Sequence, residues 1–365
     1  MKELSRLVIE YVRDEGACAA GIATVETLAG GPPSADLTAV LPGAKAAVCF
    51  AIPLDQSLIP AFLKKQDRRA HERDNLRANA LATGIAAHLA HYLRAKGYES
   101  VGLLANEEYR EDTPRGMLDM MPPLSLRYLA VRSGVGHFGL SGNVHTPREG
   151  AAVILGATVT TAPLEPTEPL APGENYCDEC KLCMNACVSR LMDPDERTTV
   201  TLGGRQFTYS KRRNYMRCEL VCGGFTGLHP SGKWSTWSPG RFSIPDKDEE
   251  FLEALAAAYE AYGKRPAPPG GHRHILMDPK LALTCGNCQL ICHPDKEERK
   301  KRYRWLVTSG VVVQEEDGSL RAVPPAVAKR ILREMPPERR ALYEDSPATS
   351  EETRDHDRAA ASTAR

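Results

Sequence analysis

No charge of one sign dominates the 365 residues: 47 Lys and Arg face 47 Asp and Glu, for a formal net charge of zero. That balance argues against a dedicated nucleic-acid surface and confines any such contact to a local patch. No apolar run reaches the length of a transmembrane helix. The first residues, Met1 to Arg6, hold neither an apolar signal region nor a twin-Arg pair, so the expectation is a cytoplasmic protein with no membrane partner. No repeat recurs apart from two cysteine motifs. In that compartment the eleven cysteines mean metal or redox chemistry, not structural disulfides.

Cys177, Cys180, Cys183 and Cys187 read C-x2-C-x2-C-x3-C. This is the spacing of bacterial two-cluster ferredoxins, where three thiolates hold one 4Fe-4S cube and the fourth holds the other. Zinc sites use spaced C-x2-C pairs or Cys/His mixtures, and four cysteines this close are too crowded for one tetrahedral ion. Val188 stands where the ferredoxin pattern has Pro, which is not a ligand. A second run, Cys285, Cys288 and Cys292, reads C-x2-C-x3-C before His293-Pro294. Together the runs hold seven cysteines, and two cubes need eight. Cys18 and Cys49 sit in apolar runs and read as buried small hydrophobes. Cys218 and Cys222 lie between the motifs, and one of them is the expected eighth ligand.

The remaining pattern alternates helix and strand. Leu4, Leu7, Val8, Tyr11 and Val12 share a helical face, strands are expected at 18–24, 46–52 and 98–105, and a helix is expected over 73–96 with Gly97 at its C′ position. His88 and His91 on that helix read as surface or core-edge residues. A short helical pattern over 124–133 leads into Gly134-Val135-Gly136-His137-Phe138-Gly139-Leu140-Ser141-Gly142-Asn143. Its glycines allow close approach to a flat or phosphorylated ligand, but it is neither a P-loop nor a dinucleotide fingerprint. A strand over 151–161 runs into the Pro-rich segment 163–172, read as a linker. Beyond the first motif come a hairpin over 198–209 turning at Gly203-Gly204, a basic stretch from Lys211 to Arg217 read as a solvated face, and a Gly-, Ser- and Trp-rich segment with Trp234 and Trp237. A helix over 249–262, a charged helix over 295–304 and a hairpin over 311–323 follow. Residues 346–365 are expected to be disordered.

The order of these features resembles the cobalamin-dependent iron–sulfur reductases, namely epoxyqueuosine reductase and the catalytic subunits of reductive dehalogenases. The resemblance rests on Ala130 to Gly139, Asn143, Thr146-Pro147-Arg148-Glu149-Gly150, Thr161-Ala162-Pro163-Leu164 and the two cysteine motifs. It implies an α/β (α+β) chain: a corrinoid-binding α/β domain over 1–165, then a ferredoxin-like domain with two 4Fe-4S clusters over 173–305, interrupted by an insertion at about 190–280. A C-terminal hairpin and helix over 306–345 and the tail complete it. It implies Cys177, Cys180, Cys183 and Cys292 for one cluster. For the other it implies Cys187, Cys285, Cys288 and a cysteine usually preceded by Arg, which Arg217-Cys218 fits better than Cys222. It implies cobalamin over the Gly-rich loop, with Met120, Gly134, Gly136, Phe138, Gly139, Asn143 and Thr146 as its contacts. Electrons would come from a low-potential donor such as ferredoxin or flavodoxin, and the cofactor would carry the hard step.

This sequence departs from epoxyqueuosine reductase at three places. The position of that family's catalytic Asp is occupied by Met120, with Asp119 adjacent. After Cys292, where that family usually carries C-terminal helical repeats that help grip tRNA, 73 residues follow here, with a hairpin and a loose tail expected among them. The interval from Cys187 to Cys285 is long. The first expectation is therefore a reductase of a small-molecule substrate, with Tyr109, Asp119 and His137 as candidate proton donors. Alternatives are epoxyqueuosine reduction in tRNA, a reductive dehalogenase-like activity, and an electron-transfer or cobalamin-handling protein with no substrate of its own.

Overall fold

The computed structural model describes residues 2–103, 109–268 and 283–345. They form two compact units, 1–215 with 287–305 and 216–286 with 306–365. The expected tail over 346–365 lies outside the described residues, as does the end of the strand expected over 98–105.

The first unit is built on strands β1 (Ala19–Thr24), β2 (Ala46–Pro53), β3 (Ser100–Leu103) and, after two short strands β4 (His137–Phe138) and β5 (Val144–His145), β6 (Val153–Thr160). The sheet order is β1-β2-β6-β3 and every pair is antiparallel. Helices alternate with strands along the chain, as expected, yet the sheet is of the α+β kind. β2 is buried at every residue but its last, because both of its faces are covered. Successive side chains point to opposite faces. Ala47, Cys49 and Ala51 join Tyr128, Leu129 and Val131 of the helix Leu126–Arg132 in one core. On the other face, Phe50 and Gly156 lie under Ala82 of the long helix Arg69–Ala95. A Cβ on Gly102 would stand 2.6 Å from the Ala86 carbonyl carbon of that helix, so only glycine permits this approach. The helix closes at Gly97, φ +89°, and His88 and His91 are exposed on it.

Two segments belong to this unit more closely than their sequence suggests. The Pro-rich segment 163–172 is stitched to the sheet edge: the Thr167 amide donates to the Ile22 carbonyl at 2.9 Å. The hairpin of β7 (Met192–Leu202) and β8 (Arg205–Arg212) turns at Gly203 and Gly204, φ +56° and +78°, the left-handed pair that a tight two-residue turn requires. Its Val200, Leu202 and Tyr209 enter the core that holds Cys49 and Leu129. The units therefore part after Tyr215, not within 166–172.

In the second unit, Trp234, Phe225, Phe251 and Tyr343 are each 2% exposed or less. The stretch read as an insertion and the C-terminal hairpin form one body here. β9 (Val311–Gln314) and β10 (Leu320–Val323) pair antiparallel, and the Val312 amide donates to Ser235 Oγ at 2.8 Å. Arg265 fastens the ends of the unit, donating to the carbonyls of Leu342 at 2.6 Å and Gly224 at 3.1 Å. It lies between the rings of Tyr262 and Tyr343, and burial pulls its guanidinium down to about 10.

His71, on the long helix, is 1% exposed, packs on Phe62 with centroids 4.8 Å apart, and leaves Nδ1 without a partner. Burial lowers its pKa to about 4. A group that refuses a proton when folded makes stability full above its unfolded value and weaker as pH falls toward the folded one. Unfolding free energy measured by denaturant titration is expected to drop by about 1–2 kcal/mol at pH 5 through this residue alone. His71→Gln should remove that part of the pH dependence.

Candidate functional site

The helix Leu126–Arg132 ends at Ser133, and Gly134 (φ +77°) turns the chain into β4. β4 and β5 pair His137 with His145 and Phe138 with Val144. The Gly-rich stretch is thus a small hairpin whose glycines admit the protein's own backbone. A Cβ on Gly134 would lie 2.4 Å from the Glu168 carbonyl oxygen, one on Gly136 2.5 Å from that of His145, and one on Gly142 2.7 Å from the Tyr209 ring. A Cβ on Gly139 would stand 3.1 Å from His145 Cδ2. These four faces are filled from within. Gly134 and Thr146 do share a cleft of about 210 Å³ with Arg13, Cys18, Arg148 and Glu149. Pockets for drug-sized ligands run from about 300 Å³ upward, so the cleft is too small for a whole corrin ring. Thr146 opens the turn to Gly150, to which it pairs through both backbone groups at 2.9 and 3.2 Å.

The tip of this hairpin faces the cysteines. The Leu140 amide donates to Cys177 Sγ at 3.3 Å, and Asn143 Nδ2 donates to Cys288 Sγ at 3.5 Å. The Tyr176 hydroxyl lies 3.4 Å from Cys292 Sγ, and Cys187 Sγ meets the Leu191 amide at 3.5 Å and Ser189 Oγ at 3.2 Å. Glu179 and Lys181 take left-handed backbone at φ +52° and +58°, which curls the first motif. Asp178 then ties it to Lys296 at 2.9 Å and Arg299 at 3.3 Å. The second motif enters on the helix Asn287–Ile291, held by Gln289 Nε2 donating to the Val153 carbonyl at 2.8 Å.

All eleven cysteines are free thiols. Burial pushes the Cys183 thiol far up, and Cys292, Cys288, Cys177 and Cys180 add to it. Burial likewise raises Cys292 to about 11. Thiols so crowded ionise only if a cation neutralises them, while the N–H groups aimed at sulfur suit thiolates. Among the described residues, no three His, Cys, Asp or Glu side chains could hold a single metal ion. A cube makes a different demand, since each thiolate takes its own iron and the sulfurs surround the cluster. The donor set of the first unit fits such a group. Cys18 and Cys49 stand apart from it: Cys49 is fully buried and Cys18 Sγ donates to the Ala51 carbonyl at 3.3 Å.

In the second unit, Cys218 and Cys222 share the helix Met216–Cys222. Thr284, next to Cys285, donates to the Cys222 carbonyl at 2.8 Å, which brings Cys285 to the end of that helix. Both candidates for the eighth ligand stay open.

Of the candidate acids, Asp119 is clamped by Arg115, whose Nε donates at 2.7 Å and whose amide donates at 3.1 Å. Burial raises its pKa, but the Arg115 bonds prevail and hold the carboxyl below its usual range. It is a carboxylate at neutral pH, a proton acceptor. Met120 follows in left-handed conformation, φ +49°. Tyr109 precedes Arg110, whose amide donates to the Met121 carbonyl at 2.8 Å. His137 is lowered by burial, and its Nε2 is buried without a partner.

Reading the sequence missed Arg127, His145, Tyr176 and Arg212. His145 is 1% exposed, packs against Tyr176 with ring centroids 4.1 Å apart and the planes tilted by 45°, and is lowered by burial to about 4. Arg212, taken as part of a solvated face, instead turns inward to Ser141 and Asn143. Lys211 and Arg213 are the exposed members, paired with Glu196 and Asp193. Strand alternation through β8 would have separated Arg212 from these two.

No family model matches the chain. In sequence it is similar to epoxyqueuosine reductase of Bacillus cereus, 29% identical over 148 residues that cover 40% of this chain and 36% of that one. The counterpart from Bacillus anthracis is 28% identical over the same length. The chain thus spans about a third of the length of the curated relatives it matches. Among solved structures, a catabolic reductive dehalogenase aligns with 93% of this chain and 37% of its own, at TM-score 0.45 and 14% identity. Epoxyqueuosine reductase from Bacillus subtilis aligns with 93% of this chain and 88% of its own, at TM-score 0.41 and 17% identity. The family resemblance read from the motifs is therefore met again in the sequence comparison, toward epoxyqueuosine reductases.

Gly136→Ala is expected to cost about 1–3 kcal/mol of stability, because its Cβ meets the His145 carbonyl. Thermal unfolding with and without added corrinoid should show the same loss.

Proposed function

We propose that the chain is an oxidoreductase that passes electrons through two 4Fe-4S clusters to cobalamin and so reduces a small-molecule substrate. The observation that carries this reading is the set of N–H donors aimed at cysteine sulfur in the first unit: Leu140 at Cys177 and Asn143 at Cys288. When bound, the clusters would supply one-electron transfer and the corrinoid a low-valent metal centre.

Cys177, Cys180, Cys183 and Cys292 would hold one cluster. Cys187 and Cys288 would anchor the second, with Cys285 and either Cys218 or Cys222 as the remaining ligands read from the sequence. The Leu140 amide and the Tyr176 hydroxyl would orient the sulfurs of the first cluster and stabilise their negative charge. Gly134 and Thr146, at the small cleft, would meet the edge of a corrin. His137 is neutral at pH 7 with a buried, unpartnered Nε2, and it would hold a proton at that atom. Asp119, kept ionised by Arg115, would accept one. Tyr109 is the remaining candidate donor.

A second reading is an electron-transfer or cobalamin-handling protein without a substrate pocket. One observation favours it: Arg115 keeps Asp119 ionised. Epoxyqueuosine reduction in tRNA and reductive dehalogenation are carried only by likeness to the relatives. One solved epoxyqueuosine reductase is bound to a tRNA stem loop, which is a property of that protein. No helix among the described residues is long and apolar enough to cross a membrane.

Anaerobically prepared protein is expected to contain about eight iron atoms. Cys183→Ala should halve that number, and Cys218→Ala should do so where Cys222→Ala does not. One zinc, or about four irons in the unmutated protein, would sink the two-cluster reading. Cobalamin added under reducing conditions should co-elute with the protein in gel filtration. Absence of uptake with both clusters present would remove the corrinoid and leave the electron-transfer reading.

A further inference from the structure

Two guanidinium groups lie beneath the hairpin that faces the cysteines. Arg127 donates to the Gly142 carbonyl at 2.9 Å and to the Tyr215 hydroxyl at 3.3 Å. The rings of Tyr128, Phe138 and Tyr209 surround it at 5.7, 5.7 and 5.4 Å. Arg212 donates through Nε to the Ser141 carbonyl at 3.0 Å and through Nη2 to Asn143 Oδ1 at 2.8 Å. Among the described residues, neither pairs with a carboxylate; Glu196 and Asp193 are engaged by Lys211 and Arg213. Burial and the charge of Arg212 both pull Arg127 down. Two part-buried cations without a carboxylate partner favour negative charge in their neighbourhood.

The Cys288 sulfur lies one amide away. Arginine has only donors, so the oxygen of Asn143 must face Arg212. The orientation of the amide is then settled, and its NH2 is left to donate to Cys288 Sγ at 3.5 Å. Drawing electron density toward the guanidinium makes that NH2 a stronger donor. A cluster sulfur becomes more negative on reduction, so a stronger donor favours the reduced state.

We propose that Arg212 is a positioning residue that, through Asn143, raises the reduction potential of the 4Fe-4S cluster held by Cys288, with Arg127 as the second balancing charge. The inference rests on the two-cluster reading above. Each cluster takes one electron from an added low-potential reductant, and no bond forms or breaks.

The test is a redox titration followed by EPR on anaerobic protein carrying both clusters. In Arg212→Gln one midpoint potential is expected to fall, by about tenfold in the reduction equilibrium, which for one electron is about 59 mV. The other midpoint should not move. Asn143→Ala should lower the same midpoint, and Arg212→Lys should lower it less than Arg212→Gln because the charge remains. Full iron content with both potentials unmoved in Arg212→Gln overturns the proposal. If Arg212→Gln does not retain iron, Asn143→Ala decides: an unmoved midpoint there overturns the relay. An unmutated protein that takes up no four-iron cluster overturns the two-cluster reading and this inference with it. A cluster-bearing protein with unmoved potentials overturns this inference alone.

Discussion

The first unit depends on one close backbone approach. The Ala151 amide donates to the Cys292 carbonyl at 3.1 Å, and a Cβ on Gly150 would stand 2.3 Å from that same oxygen. Gly150 takes φ +66°, a conformation other residues adopt only at a cost. This contact joins the start of β6, the centre of the sheet, to the last cysteine of the second motif. The rigid sheet therefore sets the position of Cys292, and the Gln289 bond to Val153 repeats the connection a turn earlier.

From that anchor the electrostatics of the site follow. Burial raises the thiols of Cys183, Cys288 and Cys292, and neighbouring cysteines raise each of them further. Left to themselves such groups stay protonated. The protein nevertheless aims the Leu140 amide at Cys177 and the Asn143 carboxamide at Cys288, and sets two arginines against the loop. Donors and cations assembled around sulfur are an investment that makes sense for thiolates sharing a larger cationic group. The same polar side chains also define the loop: Arg127 and Arg212 hold its carbonyls at Gly142 and Ser141, so the scaffold and the charge balance rest on the same bonds.

The Gly-rich stretch shows how one sequence feature admits two physical meanings. Glycine permits close approach, but sequence does not say of what. Here the approaching groups at Gly134, Gly136 and Gly142 are the Glu168 and His145 carbonyls and the Tyr209 ring. These faces are filled by the protein itself. Asp119 is a similar case. Its place beside Met120 suggested an acid, whereas Arg115, four residues earlier, makes it a carboxylate.

Local chemistry alone determined much of this protein. Cysteine spacing pointed to seven candidate ligands, because chelation needs thiolates a set number of residues apart. Apolar runs located β2 and β6, helical spacing located the long helix, and paired glycines located the turn at 203–204, since these depend on neighbours within a few residues. What depends on distant contacts was decided by tertiary structure. The antiparallel order β1-β2-β6-β3 comes from pairing across the chain. The β7–β8 hairpin belongs to the first core because Leu202 and Tyr209 find Leu129 and Phe138 there. The Trp-bearing segment and the C-terminal hairpin form one body because Ser235 and Arg265 bond to residues far along the chain. Arg212 acquired its place for the same reason: its partners Ser141 and Asn143 are remote in sequence, and only folding brings its guanidinium and the Cys288 sulfur to the two sides of one amide.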